Sequence, residues 1–108
     1  MATQAEIDGI FPAMVSNFIP AKAEGVDTTI QFELSGDNGG TYWLKISPSG
    51  VEHGTGATDA GMTVKANAED FYAIATGQMN PMQAFMMGKI KVSDTMIGMK
   101  MIQMFGMG

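Results

Sequence analysis

The last third of the chain, residues 67–105, carries more apolar surface than one side of a small sheet can cover. Nine of the 12 methionines lie between residues 79 and 107. A helix over residues 95–105 would have only a narrow polar strip, formed by Lys100 and Gln103. Such a helix must bury two faces. One face is expected on a sheet and the other against a ligand, a partner subunit or a membrane, although a core that is merely rich in methionine is the alternative interpretation.

Helix caps divide this stretch into short elements. Asparagine is a favoured N-cap and proline suits the first helical turn, so helices are predicted to begin after Asn67 and at Asn80-Pro81. Glycine readily takes the left-handed conformation that ends a helix, and Gly77 and Gly88 stand at the expected ends. Two short helices are therefore predicted in succession.

A strand and a last helix complete the C-terminal third. Residues 89–92 alternate between charged and apolar side chains, which is typical of a strand with one solvated face. Either Ser93 or Asp94 is expected to cap the helix over residues 95–105.

The first 18 residues predict a helix with one apolar face. Thr3 and Glu6 have the spacing of a capping box. Proline at position 12 interrupts the pattern, so the helix either kinks there or begins near Ile10. The residues at helical spacing are Ile7, Ile10, Phe11, Met14, Val15 and Phe18.

The middle of the chain predicts a meander of four strands. Alternating runs are separated by segments rich in glycine, proline, serine and asparagine. The predicted strands cover residues 28–34, 41–47, 51–55 and 62–66. With the later elements they predict an α+β fold, in which helices pack on one face of a five-stranded, mostly antiparallel sheet, in a single domain over residues 1–108.

Composition excludes several classes of protein. The net charge is −5, which argues against nucleic acid and against sustained contact with strongly anionic membranes. The absence of cysteine excludes disulfides, thiolate metal sites and a thiol nucleophile. No signal peptide and no apolar run of roughly 20 residues is present, so a cytoplasmic location is expected.

Candidates for catalysis or metal binding are weak. His53 is the single histidine and cannot form a multi-histidine metal site. Residues 37–40 contain oxygen ligands without the spacing of a calcium loop, and a hairpin turn is the simpler interpretation. We therefore expect neither a metal, nor a cofactor, nor an enzyme.

Several motifs resemble the sterol carrier protein 2 family. The most specific is Gly-x-x-x-Pro-x-x-Ala-Phe-Met-x-Gly-Lys-Ile-Lys, over residues 77–91. Residues 25–32, residues 59–64, Asp70-Phe71 and Asp94 also follow the family pattern, so the resemblance covers essentially the whole chain. Ser93 stands where relatives usually carry glycine; serine is an acceptable cap, so the expected difference is confined to the turn before the last helix.

The resemblance implies an apolar tunnel between the sheet and the helices that binds lipids without altering them. The implied ligands are fatty acids, fatty acyl-CoA, sterol-like or isoprenoid and quinone lipids, and phospholipids. The residues expected by position to line this tunnel are Phe71, Ile74, Met82, Phe85, Met86, Ile90, Val92, Met96, Met99, Met101, Ile102 and Phe105, with Ala75 next in order.

Two further interpretations concern the surface around the tunnel. Trp43 and Tyr72 are suggested to lie at the opening of the tunnel. The alternative interpretation is that these aromatic side chains only pack against their neighbours. The lysines at 89, 91 and 100 could meet the carboxylate or phosphate of a lipid head group, but a solvated strand edge is the favoured interpretation.

A structural or accessory module is the alternative to a lipid carrier. In it, the apolar last helix forms a homodimer or contacts a partner enzyme, for example in lipid or quinone biosynthesis. The expected partners are thus a lipid or another long apolar small molecule, with at most transient membrane contact and no nucleic acid.

Overall fold

A five-stranded sheet forms the centre of the computed structural model, which describes residues 2–106. Five α-helices and a short 3-10 turn, Pro20–Lys22, accompany the sheet within this range. The helices are α1 Gln4–Asp8, α2 Ile10–Ser16, α3 Ala68–Ala75, α4 Pro81–Met86 and α5 Thr95–Met104. The strands are β1 Thr28–Ser35, β2 Gly40–Ser47, β3 Gly50–Thr55, β4 Met62–Asn67 and β5 Ile90–Val92.

The strand order is β3-β2-β1-β4-β5, which corrects one part of the predicted topology. Strands β1, β2 and β3 form an antiparallel meander, as predicted. The fourth strand does not extend this meander, because β4 pairs in parallel with β1, with Ile30 opposite Met62. The other pairs in the described sheet are antiparallel, so the mostly antiparallel α+β prediction is confirmed.

The loop between β3 and β4 makes this arrangement possible. Residues 56–61 cross the outer face of the sheet, the face that the helices leave uncovered. There the Thr58 backbone N–H donates to Gln31 Oε1 at 2.9 Å. Six residues span at most about 20 Å, enough to pass three strand spacings of roughly 4.8 Å. Between β1 and β5, β4 buries Met62, Val64 and Ala66.

The N-terminal apolar stripe folds as two helices, not one. The break falls at Gly9, between α1 and α2, and Pro12 lies in the first turn of α2, where a missing N–H is tolerated. The capping box is present: the Thr3 side chain accepts from the Glu6 backbone, and Glu6 accepts from the Thr3 backbone.

Aromatic packing joins the helices to one face of the sheet. The Phe11 ring stacks on Tyr42 with centroids 4.4 Å apart, and Phe32 contacts Phe71 at 5.3 Å. No polar or charged residue is buried among residues 2–106. Within the same range, no helix has the length and apolar character needed to cross a membrane.

Candidate ligand-binding cavity

An apolar cavity of about 50 Å³ lies between β5, α4 and α5. Thr95 is the polar member of its wall, and no charged residue of the described chain is part of it. The lining residues are Ile74, Pro81, Met82, Phe85, Ile90, Val92, Thr95, Gly98, Met99, Met101 and Ile102.

Local capping positions α4 on one side of the cavity. The Asn80 side chain accepts hydrogen bonds from the backbone N–H groups of Met82 and Gln83, at 2.9 and 3.1 Å. Gly88 ends the segment with φ +78°, a conformation that L side chains rarely adopt. The chain then turns directly into β5, as the sequence predicted.

A second cap positions α5 on the other side. Asp94, and not Ser93, is the N-cap, since its Oδ1 accepts from the Ile97 N–H at 3.1 Å. Ser93 instead accepts from the Thr63 N–H at 2.8 Å and so ties the end of β5 to β4. One turn into α5, Gly98 approaches β5 closely: a Cβ there would lie 3.3 Å from Val92 Cγ2.

The cavity can stabilise a ligand through burial of apolar surface. Its volume is well below the roughly 300–1,000 Å³ of typical small-molecule sites, so an alkyl chain must displace side chains to enter. Met82 and Met99 line the cavity while remaining 41% and 49% exposed. Because methionine is unbranched and flexible, these two side chains can move aside at low cost.

Eight of the twelve residues predicted to contact a lipid lie together in the cavity wall. They come from α3, α4, β5 and α5, which are distant in the chain. These residues are Ile74, Met82, Phe85, Ile90, Val92, Met99, Met101 and Ile102. Their contact with a lipid stays a prediction.

The other four predicted residues lie outside the cavity wall, for two reasons. Phe71 and Phe105 belong to the hydrophobic core: Phe71 is 0% exposed beside Phe32, and Phe105 packs on Phe18 at 5.5 Å. Met86 and Met96 project outward and are 82% and 75% exposed. Ala75 is half-buried against the core.

Three lining residues were not predicted: Pro81, Thr95 and Gly98. The sequence indicates Pro81 and Thr95 only as the first residues of helices. In the structure the first turns of α4 and α5 both line the cavity. The sequence does contain a signal for Gly98: a glycine inside an otherwise apolar helix indicates that another element approaches the helix closely.

Trp43 and Tyr72 are not part of the cavity wall, which corrects their suggested place at its opening. Trp43 lies on the outer face of the sheet against Gly54. Tyr72 faces the N-terminus, where its hydroxyl donates to Glu6 Oε2 at 2.8 Å.

Two of the three lysines considered for a head group line a separate, polar cleft of about 700 Å³ at one end of the sheet. Lys89 pairs there with Asp70, Nζ to Oδ1, at 3.8 Å, and Lys91 lies opposite Lys65 on the neighbouring strand. Lys100 does not line this cleft. Mixed charges and an open shape make the cleft a poorer candidate for an apolar ligand than the smaller cavity.

The perturbed titratable groups lie near the N-terminus, away from the cavity. Burial, together with a hydrogen bond to the Asp8 carboxylate at 2.8 Å, raises the pKa of Tyr42 to about 12. Hydrogen bonds from Thr3 and Tyr72 lower the pKa of Glu6. Within residues 2–106, no group of three His, Asp or Glu side chains could hold a metal ion. The hydrogen bonds of Tyr42 and Tyr72 attach α1 to β2 and α3.

The fold has counterparts among known proteins. The family model described as the SCP-2 sterol transfer family matches residues 17–106. The chain belongs to this family.

Individual relatives and solved structures differ in how much of their own length this chain matches. Hydroxysteroid dehydrogenase-like protein 2 of Rattus norvegicus is 41% identical over 64 residues, covering 57% of this chain and 12% of the relative. Palmitated SCP2L2 of Aedes aegypti, solved by NMR, has a TM-score of 0.70 and 24% identity, covering 95% of this chain and 93% of that chain. An inverting sec-alkylsulfatase of Pseudomonas sp. has a TM-score of 0.68 and 23% identity, covering 87% of this chain and 15% of that chain. The chain thus spans a small part of the curated relatives.

Proposed function

We propose that this chain is a non-catalytic lipid-binding protein that holds the apolar chain of a lipid between β5, α4 and α5. The observation that carries the proposal is the cavity wall, which has no charged side chain among residues 2–106 and includes two half-exposed, flexible methionines. Membership of the SCP-2 sterol transfer family and likeness in fold to a palmitated protein support it.

The cavity's small volume favours a flexible alkyl chain among the ligands of the family. An alkyl chain can enter stepwise as Met82 and Met99 move, whereas a rigid ring system needs its full volume at once. Fatty acids, fatty acyl-CoA, phospholipids and lipids with an isoprenoid chain are therefore favoured over sterol-like lipids. Burying a chain of about 14 methylenes gains roughly 11 kcal/mol, and association costs about 4 kcal/mol or more, which gives a micromolar Kd.

A titration with dansylundecanoic acid tests this function. Ile102→Glu places a charge in the cavity wall, and Gln103→Glu adds the same charge at the next, exposed position of α5. We expect micromolar binding by the native chain, at least about tenfold weaker binding by Ile102→Glu, and a change of no more than about twofold for Gln103→Glu.

Two results would contradict the proposal. One is the absence of saturable binding by the native chain. The other is equal affinity of Ile102→Glu and the native chain while circular dichroism shows that both are folded. Native mass spectrometry of gently purified protein, followed by lipid extraction, would identify any lipid that remains bound.

An accessory module is the second candidate. The matched region forms only 12% of the rat relative and 15% of the Pseudomonas sulfatase chain, so related domains occur within much longer proteins. In this role α5 would contact another copy or a partner enzyme. Light scattering over a range of protein concentrations, with and without fatty acid, distinguishes the two candidates. Self-association that Met99→Glu abolishes without loss of lipid uptake would favour the module.

A further inference from the structure

Most of the exposed large apolar side chains of residues 2–106 lie around the cavity. Seven are exposed, and six of these belong to α4, to the residue after it, or to α5; Ile19 is the exception. We call these six the methionine rim: Met82, Phe85, Met86, Met87, Met96 and Met99. Exposed apolar side chains concentrated in one part of the fold are uncommon on a protein that contacts only water.

Helix periodicity makes the rim an outward continuation of the cavity wall. Met86 lies one turn after Met82 on α4, and Met96 lies one turn before Met99 on α5. Met82 and Met99 line the cavity, whereas Met86 and Met96 do not and are the most exposed members of the rim. Exposed apolar side chains thus continue along α4 and α5 from the cavity wall to the outside of the protein.

The charge around the rim differs from that of the rest of the chain. Residues 1–70 contain ten carboxylates and three lysines, whereas residues 71–108 contain one carboxylate and three lysines. Helix α4 has no charged residue, and the charged residue of α5 is Lys100, one turn after Met96. The one nearby carboxylate, Asp94, accepts a hydrogen bond as the α5 N-cap.

We propose that the methionine rim docks on a phospholipid bilayer that contains anionic lipids, with the cavity facing the membrane. This inference rests on the proposed function and names the surface from which the cavity would take its lipid. Methionine side chains enter the interfacial layer while Lys100 meets lipid phosphates. A second copy fits less well, because a two-fold contact centred on the rim would bring like-charged Lys100 side chains together with no free carboxylate on α4 or α5.

Flotation with phospholipid vesicles tests the proposal on the whole chain. The vesicles contain phosphatidylcholine alone or phosphatidylcholine with about 20 mol% phosphatidylglycerol. The test variant is Met86→Gln combined with Met96→Gln, which keeps side-chain size while removing apolar surface outside the cavity. Ile19→Gln is the matched control, since Ile19 is an exposed apolar residue outside the rim.

We expect the double variant to bind anionic vesicles about tenfold more weakly than the native chain, and Ile19→Gln to remain within about twofold. Lys100→Gln is expected to lose about threefold to fivefold on anionic vesicles and to change little on neutral ones. Binding of dansylundecanoic acid without vesicles is expected to be the same for the native chain and the double variant.

The proposal is overturned if the native chain does not float with either kind of vesicle, or if the double variant floats as well as the native chain. It is also overturned if sedimentation shows a dimer that the double variant abolishes, because the rim then belongs to a second copy. Failure of the lipid-binding function has a different signature: no dansylundecanoic acid is bound in solution, whether or not the native chain floats with vesicles.

Discussion

Gly98 of α5 lies directly against Val92 of β5, so closely that a Cβ on Gly98 would be 3.3 Å from Val92 Cγ2 and 3.4 Å from Cγ1. Both residues line the apolar cavity. The absence of a side chain at position 98 therefore sets the separation of helix and strand at the site where a ligand is expected.

A side chain at position 98 is expected to compete with the ligand. In Gly98→Ala the gain in helix propensity, about 1 kcal/mol, offsets the tight contact with Val92, so stability changes little. Val92 is pushed toward the cavity, and affinity for dansylundecanoic acid falls about threefold to tenfold, with a larger loss for Gly98→Leu. Fluorescence titration and urea unfolding measure the two effects, and an unchanged affinity for Gly98→Leu would contradict this account of the cavity.

The Asp94 cap is expected to stabilise α5. Asp94→Ala removes the acceptor for the Ile97 N–H and should lower the free energy of unfolding by about 0.5–2 kcal/mol. Asp94→Ser keeps an N-cap acceptor and should remain close to the native value. Urea unfolding provides the comparison, and equal losses for the two variants would show that the cap contributes little.

Truncation of Phe71 is expected to cost far more stability than truncation of Met86, although the sequence predicted that both line the tunnel. Phe71→Ala leaves a cavity in the aromatic cluster with Phe11 and Phe32, at a cost of about 3–5 kcal/mol in unfolding free energy. Met86→Ala changes an 82% exposed side chain and should cost no more than about 0.5 kcal/mol. Chemical denaturation checks both, and similar costs would contradict the observed placement.

Tyr42 is expected to make stability fall at alkaline pH. Its pKa is raised to about 12 in the folded chain from an ordinary value of 10.0, so its contribution is complete below about pH 10. As pH rises from about 10 toward 12, this contribution is lost, because the unfolded state releases the proton first.

Comparison with Tyr42→Phe isolates this effect, since the lysines titrate equally in both proteins. Between about pH 9 and pH 11.5 the native chain should lose about 2 kcal/mol more unfolding free energy than the variant. Parallel pH profiles in urea unfolding would show that the burial and the Asp8 hydrogen bond do not raise this pKa.

Gly54 is expected to tolerate no side chain, because a Cβ there would overlap the Trp43 ring. Gly54→Ala should displace the ring, shift the emission of this single tryptophan toward the red and lower stability. Thr55→Ala, at the adjacent exposed residue of β3, is the control. Because Trp43 lies on the outer face, its emission in the native chain should not respond to bound fatty acid. A clear change in emission would show that the ligand binds elsewhere.

The local elements of the last third could be predicted closely because their signals are local. Asn67 and Asn80 cap helices through their own side chains, and Gly77 and Gly88 adopt positive φ where the helices end. The Met62–Asn67 strand was also predicted, but its neighbour was not. Pairing with β1 depends on how residues 56–61 cross the sheet, and the alternation of side chains within a strand is the same whichever strand lies beside it.

The sequence by itself determined the elements, their capping residues and an excess of apolar surface in the last third of the chain. Only the tertiary structure decided how that surface is divided: Phe71 and Phe105 in the core, Met82 and Met99 on the cavity, Met86 and Met96 in solvent. The physical reason is that periodicity defines the angle of a side chain around its own helix. The surface that this side chain meets depends on how neighbouring elements pack, and contacts such as Gly98 against Val92 set that packing.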